Sequence, residues 1–79
     1  MTEYEAQQIG IEAAREAYRQ WDLVEDPYEV VWRHCTRLHE RMRAEGLTGE
    51  DDDFVWTAGL AFRDEAEYLF GADYVVAGQ

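Results

Sequence analysis

The chain has 79 residues, with 18 acidic side chains against seven basic ones, a formal net charge of −11 and a pI near 4.3. All seven bases are Arg, and the net field opposes nucleic acids and anionic membranes while drawing in basic surfaces. A 47% hydrophobic, 14% aromatic composition excludes a disordered acidic tail, and area scaling leaves about 60% of the surface buried, enough for one domain with a modest core.

Thr2 followed by Glu5 is a capping box, opening a first helix over about residues 3–21. Gln7, Ile11, Ala14, Tyr18 and Trp21 recur at spacings of four and three, which predicts its inner stripe. Gly10 and Ala17 flank that stripe and would let a neighbouring helix come close. The outer face reads Glu5, Ile9, Glu12, Glu16, leaving Ile9 stranded among carboxylates. Arg15 and Arg19 stand three residues beyond Glu12 and Glu16, a spacing that favours local ion pairs.

Asp26-Pro27-Tyr28-Glu29 starts the second helix, over about residues 27–45. Asp26 is the N-cap, Pro27 sits at the first helical position, and Glu29 completes a box. Val31, Cys35, Leu38 and Met42 form its apolar stripe, and Gly46 supplies a left-handed cap with Leu47 for the accompanying contact. Arg33, Arg37 and Arg41 line one side at i,i+4 spacing and are expected to bridge to acids of neighbouring helices.

The third helix covers about residues 50–70. Glu50, Asp51, Asp52 and Asp53 crowd its positive dipole end. Val55, Ala58, Gly59, Phe62, Ala66 and Leu69 make the inner stripe, and Gly71 is the stop. Trp56 and Leu60 fall outside, beside Asp53, Asp64 and Glu67. The tail from Ala72 to Gln79, too short for a lone strand, is expected to pack across the bundle. Short linkers force sequential helices antiparallel, so the expected fold is all-α: a single three-helix bundle, one domain over 1–79.

Charge is unevenly spread. Residues 1–26 hold seven acids and two Arg (−5), 27–46 hold three acids and four Arg (+1), and 47–79 hold eight acids and one Arg (−7). Helices one and three are the negative walls. Apolar anchors ringed by acids fit a protein-binding surface, although Trp56 packed beneath the tail is an equally available reading. Trp21 is expected in the core or at its edge, and Trp32 and Trp56 partly exposed.

Chemistry-bearing constellations are scarce. Cys35 and His39 share a helix face, but a tetrahedral zinc site needs more nitrogen or sulfur ligands. The run Glu50–Asp53 lacks the alternating oxygens and central Gly of a calcium loop. There is no Ser, no Gly-rich phosphate loop and no recognisable nucleophile–base pair. Neither an enzyme nor a cofactor is expected. One Cys excludes an internal disulfide and suits a reducing compartment. The start, MTEYEAQQ, has no export signal, and no apolar run approaches the ~20 residues of a membrane span, so a cytoplasmic location is expected.

Size, acidity and all-helical architecture together resemble the small phage anti-CRISPR proteins directed at type I Cascade complexes, type I-C among them. Glu5–Glu16, Glu50–Asp53 and Asp64–Glu67 carry the resemblance. It implies a stoichiometric inhibitor that occupies a DNA-binding channel without touching DNA, with a basic Cascade subunit as partner. A monomer is the expected state and a dimer the alternative. The Arg row of helix two departs from a pure DNA mimic. Two rival readings remain: an antitoxin-like regulator neutralising another basic protein through helix-in-groove contacts at Ile9, Trp56 and Leu60, and a salt-adapted or GC-rich structural domain whose acidity is solvation only.

Overall fold

Three helices account for the described part of the chain, residues 1–46 and 52–71 of a computed structural model: α1 (Glu3–Gln20), α2 (Pro27–Ala44) and α3 (Asp52–Phe70). The Thr2 hydroxyl accepts from the Glu5 amide at 3.1 Å, while the Glu5 carboxylate accepts from the Thr2 amide at 3.3 Å, closing the expected box. Asp26 caps α2 through a single bond from the Tyr28 amide at 3.0 Å, and among the described residues Glu29 adds no return bond. Gly46 (φ 86°) and Gly71 (φ 103°) end α2 and α3 in the left-handed region, where any other residue is strained. The contact expected of Leu47 and the packing expected of the 72–79 tail lie outside the described residues.

α1 buries a stripe of small residues, Ala6, Gly10, Ala14 and Ala17. This corrects the expected stripe: Gln7 and Tyr18 are exposed, and Ile11 is half-buried. The reason is the approach of α3. A Cβ built on Gly10 would lie 2.1 Å from the Ala58 carbonyl oxygen, so the two backbones touch where no side chain fits between them. Rotation of α1 onto its small face draws Ile9 inward, half-buried against the core rather than stranded among carboxylates.

The remaining core comes from Val30, Val31, Leu38 and Met42 of α2 and from Ala58, Phe62, Ala66 and Phe70 of α3, close to the expected stripes. His34 replaces Cys35 on the buried face of α2; Cys35 is half-buried beside it. At one end Tyr18, Trp21 and Phe70 cluster, with Tyr18 edge-on to Phe70 at 5.3 Å. The Trp21 indole N–H donates to the Glu25 carbonyl at 3.1 Å, tying the α1–α2 loop to this cluster. α1 packs most extensively on α3, while α2 touches both less.

Candidate functional site

The outer face of α3 repeats every four residues, and one row climbs it as Trp56, Leu60, Asp64 and Tyr68. Trp56 is 69% exposed and Tyr68 83%; whether the tail covers Trp56 lies outside the described residues. Asp53 and Asp64 stand on the same face, and among the described residues neither meets a cation. Glu67 flanks the row with its carboxylate 3.9 Å from Arg63 Nε. Glu50 and Asp51 lie outside the described residues, as does the side chain of Asp52.

Leu60 is half-buried. With Ile11 and Ala61 it lines an open groove of about 610 Å³ between α1 and α3, bordered by Glu3, Asp64 and Tyr68. Arg15 Nε bridges the two helices by donating to Glu65 at 2.9 Å. Tyr68 escaped the sequence reading, although its position four residues beyond Asp64 was the available signal. Leu23 and Val24, exposed in the α1–α2 loop, were missed as well.

Helix one carries its acids differently. Glu5 is exposed but spent on the N-cap. Glu12 faces Arg15 at 3.7 Å, and Glu16 accepts from Arg19 and, at 2.6 Å, from the Gln20 amide. The Arg19 hydrogen bond, followed by that of Gln20, holds the Glu16 carboxyl below its usual range. Across a cleft of about 300 Å³ from Glu12 and Glu16 stand Arg37 and Arg41 of α2.

Among the described residues that Arg row makes no bridge to the acids of the neighbouring helices, contrary to expectation. Arg33 reaches Glu25 in the preceding loop at 3.3 Å, and Arg41 pairs with Glu45 at the end of its own helix at 3.6 Å. The shallow packing of α2 on α1 leaves the cleft too open for direct pairs. At its base His34 is only 7% exposed, and its Nε2 makes no hydrogen bond. Burial pushes the imidazole down from its usual value, with Arg37 and Arg33 adding to the effect and Glu16 and Glu25 opposing it. Burial likewise pushes the Cys35 thiol up, which disfavours the reactive thiolate.

The chain matches no protein-family model, no curated protein and no solved structure. Among the described residues no cluster of His, Cys, Asp or Glu is placed to hold a metal ion, and no helix is long and apolar enough to cross a membrane. Exposed aromatic rings and carboxylates that meet no cation among the described residues share one helix face.

Proposed function

We propose that the protein is a non-enzymatic inhibitor that binds the basic, nucleic-acid-holding surface of another protein and keeps nucleic acid out. The observation that carries this reading is the α3 face, where Asp53 and Asp64, without a cation among the described residues, share a helix face with exposed Trp56 and Tyr68. Carboxylates in that state keep their full charge for a partner's Lys and Arg, while the aromatic rings supply desolvated anchors. A rigid helix presents both without an ordering cost. The resemblance to anti-CRISPR proteins makes the channel of a type I Cascade the partner to test first, since such a channel must present cations to a duplex with one negative charge per ~1.7 Å.

Of the two acidic walls, helix three is the better interface. The Glu12 and Glu16 carboxylates of helix one already face Arg15 and Arg19 and look across at Arg37 and Arg41. Their charge is largely answered within the chain.

The test is a duplex-binding competition on a purified Cascade, read by electrophoretic mobility. The wild-type chain should prevent duplex binding and should not itself retard DNA. Reversing Asp53→Arg with Asp64→Arg should weaken inhibition by about tenfold or more, because like charges then meet across the interface. Glu12→Arg with Glu16→Arg should matter less. Undiminished inhibition by both pairs would defeat electrostatic competition. Absence of any tight basic partner, combined with a fold that fails at low ionic strength, would favour the salt-adapted domain instead.

A further inference from the structure

α1 and α3 run side by side in the same direction. Gly10 meets Ala58 and Phe62, Arg15 meets Glu65, and Tyr18 meets Phe70, so partners advance together along both helices. α2 covers one flank of this pair. It faces Ala13 across the cleft at Leu38, and His39 Nε2 lies 3.4 Å from where a Cβ on Gly59 would stand. The opposite flank carries the groove between Ile11 and Leu60. Two adjacent helices that, among the described residues, are covered on one flank only leave the seat that a further helix fills in a four-helix arrangement.

We propose that this groove seats an α-helix of a protein partner bearing Arg or Lys along its edges and apolar side chains along its centre. The proposal rests on the reading of the partner as basic and names the element of that partner that docks. Length fits: on α3 the groove runs from Thr57 to Tyr68, about 17 Å or three turns at 1.5 Å per residue. Chemistry fits as well. Ile11, Leu60 and Ala61 form an apolar strip that receives the centre of an amphipathic helix. Glu3 and Asp64 border it, and among the described residues neither meets a cation. The Tyr68 ring, 83% exposed at the edge of the groove, is accessible to a guanidinium whose stem lies along the strip. An acidic helix would bring like charges against Glu3 and Asp64. A second copy of the chain would bring another −11 towards the first.

The test uses the full chain, isotope-labelled for amide NMR, with three helical peptides of about 18 residues, long enough to hold helix in solution. One is an amphipathic Leu/Ala/Arg peptide, the second a scramble of the same composition, and the third carries Glu for Arg. The first peptide should shift Gln7, Ile11, Leu60 and Ala61. The other two should bind at least about tenfold more weakly, because one lacks the apolar stripe and the other repels. Asp64→Arg should weaken the first peptide by a similar factor, and Ala61→Arg should block the strip. Equal binding of the scramble, or shifts confined to α2, would overturn the proposal. So would contacts from residues 72–79 to Ile11 or Leu60 in the free chain, since the groove would then be filled from within. DNA exclusion from a basic effector with an unshifted groove would sink the helix seat and leave the inhibitor reading standing. A filled groove with no effect on a basic effector would do the reverse.

Discussion

A methyl group added at Gly10 tests the central contact of the fold. It would stand 2.1 Å from the Ala58 carbonyl oxygen, 2.9 Å from the Phe62 amide nitrogen and 3.0 Å from the Ala58 carbonyl carbon. All three atoms are backbone, so no rotamer change makes room. α1 and α3 must part by about 1 Å, a gap that forfeits a quarter to a half of each dispersion well across the largest helix contact. Overpacking of this kind costs about 3 kcal/mol, at the upper end because the neighbours cannot turn aside. Replacing Gly by Ala within a helix returns about 1 kcal/mol. Gly10→Ala should therefore lose about 2 kcal/mol from a total of roughly 4–12 kcal/mol for a chain of this length. The melting midpoint should fall by about 8–16 °C when followed by far-ultraviolet circular dichroism. Gly59→Ala is the internal control. Its added methyl meets only the far end of His39 at 3.4 Å, so the helix-propensity gain survives and the midpoint should hold or rise. A Gly10→Ala chain that melts at or above the wild type would show that the helices do not approach as described.

Protonation of His34 should destabilise the chain from the acid side. Its folded pKa lies below the unfolded value of about 6.5, so the unfolded state binds the proton more readily. The stability contributed by neutral His34 is complete above about pH 6.5 and is lost as pH falls through the window beneath it. Urea midpoints measured from pH 8 to 5 should decline, and His34→Leu should flatten that decline before the carboxylates titrate. An unchanged slope in the variant would remove His34 as the cause. Salt should act in the opposite direction. Among the described residues ion pairs engage Arg15, Arg19, Arg33, Arg41 and Arg63, yet 18 acids against seven bases leave a large excess of negative charge. The melting temperature should rise as sodium chloride brings the screening length below ~8 Å, most steeply at the start. A flat or falling curve would mean that local pairing already answers the repulsion.

The helices were legible because their ends are written in side-chain chemistry. Thr2 with Glu5, Asp26 with Pro27, and the left-handed Gly46 and Gly71 each mark a boundary that the backbone obeys. The faces of α2 and α3 were nearly as plain, because large apolar residues announce themselves by spacing. α1 was not, because its buried face is made of Ala and Gly, which carry little hydrophobicity but permit backbone contact. Periodicity counts apolar bulk and therefore favoured Ile11 and Tyr18, whereas proximity decided for Gly10. The same rotation moved Ile9 inward. His34 was hidden for a related reason: no local pattern distinguishes a polar ring that burial keeps neutral from one that faces water. Trp56, Asp53 and Asp64 stood out as an outer group in the sequence, but Tyr68 and the groove beside Leu60 needed the neighbouring helix to define them.

The tightest interface joins the first helix to the last. For a chain emerging from the ribosome, the Ala6–Gly10–Ala14–Ala17 face has no backbone to rest on until Ala58 and Phe62 have been made. α2 appears earlier but makes only a thin contact with α1, too little to hold it in place. Loop closure across some fifty residues must come before the reward. The nascent chain should therefore remain open until α3 has emerged, with its acidic surface keeping it from aggregating in the interval.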